Sequence, residues 1–357
     1  MTRAPIFFRV DGTRQQGWES FWRCLVFAAA LQRRRRPTYF LSQLDPPELV
    51  NNIRRVGNEW LEADALAGTP DDLEQIIQEI RRLSPAAVIV DSPHVTREYL
   101  EALQSTGVLV VTLDHHAALD FPSRLVINPL LGPSKEAYSF APGAQALLGR
   151  RYALVRPEIR RLRPLRAQEP AQPFRALVAL GDDDPHGQSL AMVRHLMSCH
   201  KIRRVDVAVR YHHPELPTLR ALAEANKDRL EIAVEAPELA ARIVRCHFAI
   251  TAGNSWSLEL ACVGVPQLIV VQNEAHWPTA QRLEEEGAAT CLGWHETVSA
   301  QTIRQAVVDL LADDQERQAM SRCGRMLIDA RGPDRMVTAL EVMLHPSRAV
   351  QTLARAA

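Results

Sequence analysis

The chain has 357 residues, 46% of them apolar and 24% charged, a globular composition long enough for two domains. Lysine plus arginine equals aspartate plus glutamate at 42 each, so no net field invites nucleic acid or an anionic membrane. Six cysteines (Cys24, Cys199, Cys246, Cys262, Cys291, Cys323) form no Cys-x-x-Cys pair and read as small core residues in a reducing compartment. The N-terminus enters a strand-like run without a signal-peptide pattern, and no apolar run approaches membrane-spanning length. The expected location is cytoplasmic, with no membrane insertion.

In chain order, strands are predicted at Ile6–Val10, Thr38–Leu41, Ala87–Val90, Val108–Leu113 and Leu125–Ile127. Helical spacing covers Trp18–Arg33, Asp71–Leu83 and Arg97–Gln104. The run Arg33 to Arg36 follows the first of these, where cations suit the helix C-terminus. From Tyr152 to Phe174 the pattern breaks into arginine and proline, which suits an exposed linker. A second series follows, with strands at Ala176–Leu180, Val205–Val209, Leu230–Val234, His247–Thr251, Gln267–Val271 and Ala288–Leu292. Helices begin near Gln188, Pro214, Pro237, Ser255, Pro278 and Thr297, and Asp314–Leu344 is helical. Strands alternating with helices predict an α/β fold of two parallel-sheet domains, with ligands beyond the carboxyl ends of the strands. The expected division is an N-terminal domain over 1–155, a linker over 156–174, a nucleotide-binding domain over 175–330, and a helix and tail over 331–357 packing back on the first domain.

The stretch from Ala249 to Pro266 carries the strongest local signal. A buried strand runs through the small-residue turn Ala252-Gly253-Asn254-Ser255 into a short helix closed by Gly264. Such a turn aims backbone N–H groups and a helix N-terminus at an anion such as a diphosphate. Glu259 lies four residues after Ser255, one too many for a capping box, so its carboxylate is either free for a ligand or an ordinary solvated helix glutamate.

Other clusters are weaker. Asp182, Asp183 and Asp184 match no metal-ligand spacing, and no metal or cofactor is expected. His94 and His115 follow strand ends with Asp91 and Asp114 close in sequence, a suitable setting for a general base. There is no Gly-x-Ser-x-Gly elbow, Walker loop or Gly-x-Gly-x-x-Gly fingerprint, which argues against serine hydrolase, NTPase and dehydrogenase readings.

Several pieces in order resemble a known family: Phe8-Arg9-Val10-Asp11 with Gln16-Gly17 and Arg23, then Val90-Asp91 and Leu113-Asp114. They continue with Tyr152 to Arg156, Leu180-Gly181 with Asp184, the Ala249–Pro266 segment and Asn273. The chain resembles the UDP-sugar hydrolases of pseudaminic acid biosynthesis and the related spore-coat polysaccharide proteins. The resemblance implies a GT-B-like architecture, two Rossmann-like domains facing a cleft. It implies that Gly181, Ala252, Gly253, Asn254, Ser255 and Glu259 hold the nucleotide, with the glutamate on the ribose hydroxyls. Gly17, Asp91 and Asn273 would line the sugar site, and Asp11 would stand at the reaction centre.

The departures from the family fall near that centre. Ser20 stands where the family has its water-positioning histidine, Asp91-Ser92-Pro93 where it has Asp-His-Tyr, and Asp182 at the second glycine of the diphosphate loop. A serine is not a base at neutral pH unaided, which leaves His94 and His115 as candidates beside Ser20. The leading expectation is a hydrolase releasing UDP and a free sugar for nonulosonic acid synthesis, flagellin glycosylation or surface polysaccharide. The alternatives are a GT-B glycosyltransferase, or a non-catalytic relative that binds a sugar or a protein partner.

Overall fold

The computed structural model describes residues 3–181, 184–234 and 236–345. The chain forms two compact units. One comprises the described residues up to Pro129, Pro133–Tyr152 and those from Arg331 onward; the other comprises Leu130–Gly132 and Ala153–Ala330.

The first unit begins β1 (Ile6–Val10), α1 (Glu19–Arg33), β2 (Thr38–Ser42), α2 (Val50–Arg55), β3 (Glu59–Glu62), α3 (Pro70–Leu83), β4 (Ala87–Asp91). It continues α4 (Arg97–Ser105), β5 (Leu109–Leu113), β6 (Asp120–Phe121), β7 (Leu125–Asn128), β8 (Ser139–Phe140), β9 (Gln145–Leu148). Seven strands make one parallel sheet in the order β3-β2-β1-β4-β5-β7-β9, while β6 and β8 pair separately. Strand β1 is central and every residue in it is buried. Phe8 stacks on Phe40 at 4.7 Å and meets Phe27 edge-on at 6.0 Å, joining the sheet to α1.

The second unit runs α5 (Pro157–Arg160), β10 (Phe174–Val178), α6 (Gln188–Met197), β11 (Ile202–Ala208), α7 (Leu216–Ala225), β12 (Leu230–Ala233), α8 (Ala236–Arg245), β13 (Phe248–Thr251). It closes with α9 (Ser255–Val263), β14 (Gln267–Val271), α10 (Trp277–Glu285), β15 (Thr290–Trp294), α11 (Ala300–Ala312) and α12 (Asp314–Leu327). Its parallel sheet has the order β12-β11-β10-β13-β14-β15. Helix α13 (Gly332–Leu344) then returns to the first unit, where Glu341 pairs with Arg36 at 2.7 Å and Asp334 with Arg33 at 3.1 Å.

Both sheets therefore reverse direction beside their first strand, at β1/β4 and at β10/β13. Such a reversal leaves a crevice outside the carboxyl ends of those strands. Residues following β1, β4, β10 and β13 are the ones so placed.

Two expectations need correction. The segment 156–174 is not an exposed linker: it belongs to the second unit, with Ile159, Leu162 and Arg166 buried. Arg163 donates to the carbonyls of Cys262 (2.5 Å), Ile328 (2.6 Å) and Arg325 (3.0 Å), so its charge terminates helices instead of facing water. The edge strands β3 and β9 were not predicted. The expected C-terminal tail beyond His345 lies outside the described residues.

Candidate functional site

In the second unit, β13 ends at Thr251 and the chain turns through Gly253 at φ +79° before α9 starts. The cap is Asn254, not Ser255: its side chain accepts from the Trp256 N–H at 3.1 Å and donates to the Leu180 carbonyl at 2.7 Å. One residue thus starts the helix and ties the turn to the end of the β10 segment. Gly181 must be glycine here. Its φ is +118°, and a Cβ would lie 2.1 Å from the Asn254 amide nitrogen. Gly253 is also tight, with a Cβ position 3.0 Å from Ala280 and 3.1 Å from the His276 carbonyl. Behind the turn, Ser257 accepts from the Gly253 N–H at 2.9 Å. Helix α9 is buried from Trp256 to Val263, so a rigid support carries its N-terminus.

Glu259 is not free, contrary to the capping argument. It is 5% exposed and accepts from the backbone N–H of Arg156 at 2.9 Å and from its guanidinium at 2.5 to 3.0 Å. The Arg156 guanidinium lies 5.5 Å from the Trp256 ring, and Arg210 lies 5.4 Å from the same ring. Two cations thus gather around the second residue of α9, adding to the positive end of its dipole. Ala252 is buried, and Ser255 is partly exposed as the first helical residue. Asn273 follows β14, where it is exposed and caps a short turn by accepting from the Ala275 N–H.

The carboxylate loop resolves differently. Asp182 and Asp183 lie outside the described residues. Asp184 accepts from the N–H groups of Gln188 and Ser189, both at 2.9 Å, and lies 3.1 Å from His213 Nε2. Although burial opposes its charge, the hydrogen bonds from His213, Ser189 and Gln188 hold its pKa below the usual carboxylate value. Asp184, His213 and Glu215 place three potential metal-ligand atoms within 4.8 Å. However, His213 Nδ1 accepts the Glu215 N–H, which puts the ring proton on Nε2 and directs it to Asp184. That tautomer makes the trio a hydrogen-bonded latch between two loops, because a metal at Nε2 would need the proton removed.

In the first unit, three side chains meet on Arg23 of α1. Its guanidinium donates to Asp91 at 2.6 and 2.5 Å, to Ser20 Oγ at 2.9 Å, and faces His115 Nδ1 at 3.1 Å. Burial would depress the Arg23 pKa, but the Asp91 charge and hydrogen bonds outweigh it and the net direction is up. Since arginine only donates, His115 Nδ1 accepts, and a neutral ring carries its proton on Nε2. In this state His115 is a hydrogen-bond donor and not the general base suggested by its spacing to Asp114. Asp114 instead holds the following turn, accepting from the His116 and Ala117 N–H groups.

The remaining sequence candidates make other contacts. Asp11 is 4% exposed and accepts from Arg9 and from the N–H groups of Gln43 and Ala67. Arg9 also reaches Asp72, which accepts from the Tyr99 hydroxyl at 2.6 Å. Asp11 is thus a member of a buried scaffold rather than a group at a reaction centre. His94 is exposed, and its ring makes no hydrogen bond among the described residues. Gly17, at φ +79°, closes a loop by donating to the Thr13 carbonyl at 2.9 Å.

The sheet order and the two strand-end sites can now be set beside known proteins. Solved structures that match include spinosyn rhamnosyltransferase SpnG, with TM-score 0.68 and 16% identity over 94% of this chain and 100% of that one. The same protein in complex with thymidine diphosphate matches with TM-score 0.65, 17% identity, and coverage of 94% and 100%. The fold is GT-B-like. MurG of Acinetobacter baumannii matches with TM-score 0.65 and 15% identity, covering 94% of this chain and 99% of that one. These identities establish the fold alone. No family model matches the sequence. Over 115 residues the chain is 28% identical to spore coat polysaccharide biosynthesis protein SpsG of Bacillus subtilis (strain 168), which is 32% of this chain. The match spans 34% of that relative's length. No helix among the described residues is long and apolar enough to cross a membrane.

No site role was read from the sequence for Arg156, Arg210, Trp256 or His213, although Arg156 ends the Tyr152 to Arg156 run that carries the resemblance. Trp256 follows Ser255 directly and could have been found from the turn; the others act across long sequence separations.

Proposed function

We propose that the protein is a nucleotide-sugar-dependent glycosyltransferase whose second unit holds the nucleotide diphosphate at the turn from Ala252 to Ser255. The observation that carries this reading is the apposition of Gly181 and Asn254 at the β10/β13 reversal. There the Asn254 side chain ties two loops together beside a helix N-terminus backed by Arg156 and Arg210. A diphosphate gains charge-assisted hydrogen bonds from such a surface. Glu259 serves it by fixing Arg156, a positioning role that replaces direct contact with ribose. Asn273 and Gly17 remain proposed sugar contacts.

The Ser20–Arg23–Asp91–His115 cluster is the proposed sugar or acceptor side. With Nδ1 held by Arg23, His115 offers an Nε2–H donor to a hydroxyl or leaving oxygen. A hydrolase would need a base for water, and neither Ser20 nor His115 is arranged as one. The named structural relatives that thymidine diphosphate or an aglycone accompanies are a transferase, which supports the same choice.

The deciding experiment incubates the protein with UDP- and dTDP-sugars, with and without extracts of candidate acceptors, and follows nucleotide release. Release that requires acceptor supports a transferase. Equal release without acceptor restores the hydrolase. No release and no nucleotide binding by calorimetry would leave a binding protein of another kind.

A further inference from the structure

A cavity of about 300 Å³ opens in the first unit beyond the carboxyl ends of β2 and β3. Parallel register sets Phe40 beside Trp60 and Ser42 beside Glu62, so Trp60 and Glu62 lie on one face of the sheet. Leu44 follows β2 and is bridged to Gly12 after β1, and Pro47 and Val50 come from the segment that links β2 to β3. All of these except Phe40, Ser42 and Gly12 line the cavity. Asp45 and Glu62 are the only charged residues in its lining.

Neither carboxylate is neutralised from within. Glu62 is exposed, and its carboxylate makes no hydrogen bond or ion pair among the described residues, while its carbonyl accepts from Gln75 at 3.0 Å. Asp45 meets the Arg14 Nε at 3.5 Å, a pair with 51% and 73% side-chain exposure that water screens and a ligand can displace. Trp60 is half-buried, and its Nε1 is enclosed. The indole therefore borders the cavity with carbon and offers it no hydrogen-bond donor. A carbon-walled pocket with two carboxylates is a poor host for an anion. A chelated metal is no better suited. Among the described residues the only His, Cys, Asp or Glu trio close enough to share an ion is Asp184, His213 and Glu215.

We propose that this cavity binds the ammonium group of an organic amine, and that the amine belongs to the acceptor. The first half rests on the lining alone. A cation gains from two carboxylates and from indole carbon, whose π electrons attract it, while the CH groups of its skeleton cover Leu44, Pro47 and Val50. The second half rests on the transferase reading, with the acceptor at the Ser20–Arg23–Asp91–His115 cluster. In the sheet order only β1 separates β2 from β4, whose last residue is Asp91, so the cavity stands about 10 Å along the sheet from that cluster. One molecule with an ammonium at one end and a hydroxyl at the other spans that distance.

The test titrates the full chain with cyclohexylamine, a cation at neutral pH, against cyclohexanol and glucose as neutral controls. Calorimetry and tryptophan fluorescence follow binding at constant ionic strength and without nucleotide. Saturable binding about tenfold tighter for the amine than for either control is expected. Glu62→Gln and Asp45→Asn, both at exposed positions, should each weaken it several-fold and keep the wild-type Tm. Glu48→Gln, at an exposed position outside the lining, should leave it unchanged. The proposal is overturned if cyclohexanol or glucose binds as well as the amine, or if Glu48→Gln weakens the amine as much as Glu62→Gln does. Because no nucleotide is present, a protein that binds the amine and not UDP loses only the transferase reading. The acceptor half is tested by nucleotide release from UDP- and dTDP-sugars. An ω-amino alcohol such as aminohexanol should stimulate release more than hexanol does in the wild type, and no more than hexanol in Glu62→Gln. Equal stimulation in the wild type overturns the acceptor assignment.

Discussion

Arg156 and Glu259, 103 residues apart, are joined by four hydrogen bonds: the Glu259 carboxylate takes the Arg156 backbone N–H and binds its guanidinium in a fork. The pair sits almost out of water, at 12% and 6% side-chain exposure, so truncating either partner strands the other. Glu259→Ala should cost about 3 kcal/mol of stability. Arg156→Ala/Glu259→Ala should cost less than the sum of the single changes. Urea unfolding of the four proteins checks this, and strict additivity would rule out the pairing. If Arg156 backs the diphosphate, either single variant should also lose about tenfold in UDP affinity, or 1.4 kcal/mol.

Asn254→Ala removes the α9 cap and the bond to Leu180 at once. A loss of roughly 1–2 kcal/mol is expected from the cap alone. Weakened UDP binding should accompany it, measured by calorimetry. Gly181→Ala should be worse than an ordinary glycine replacement, since the added Cβ meets the Asn254 amide and φ is positive. An undisturbed Gly181→Ala protein would refute the described apposition.

Asp91→Ala should release Arg23 into a buried site without its counter-charge, at a cost of about 3–5 kcal/mol in thermal unfolding. Ser20→Ala should be mild in stability, because Arg23 retains Asp91. On the transferase reading it should lower turnover without changing nucleotide affinity, a split that steady-state kinetics would reveal.

Two aspartates predict opposite pH trends. Asp184 has a folded pKa below its unfolded value. It therefore contributes stability above the unfolded pKa near 4, and that contribution fades as pH falls through the lower folded pKa. Asp206 is raised by burial, which its neighbouring arginines, led by Arg242, offset only in part; neither of its oxygens has a hydrogen bond. Its charge therefore destabilises once pH rises from the unfolded value through the folded one. Asp206→Asn should be at least as stable as wild type at pH 7, with the difference vanishing below pH 4. A clear loss at pH 7 would mean that Arg242 needs the charge more than the interior resents it.

The sheets were legible because their central strands hold continuous apolar runs, such as Phe248–Ile250 and Leu268–Val271, and the turn because its glycine and capping signals are local. Strands β3 and β9 escaped because they are edges. Glu59 and Glu62 are exposed, and only Leu147 of β9 is buried, so neither shows a buried-strand pattern. The site partners escaped for another reason. Arginine-rich composition between 156 and 166 looks solvated, and nothing local says that Arg156 meets Glu259 or that Arg163 meets three carbonyls. Long-range pairing turned an apparent linker into part of the second unit.

The return of α13 to the first unit sets an order of completion during synthesis. A ribosome finishes β1 to β9 early, but the helix that covers α1 and supplies Asp334 and Glu341 is made only after the second unit. The second unit, whose sequence from Ala153 to Ala330 is nearly continuous, is finished before the first can close. A chain stopped at Ala330 would leave the first unit with Arg33 and Arg36 deprived of their carboxylates and one side of α1 bare.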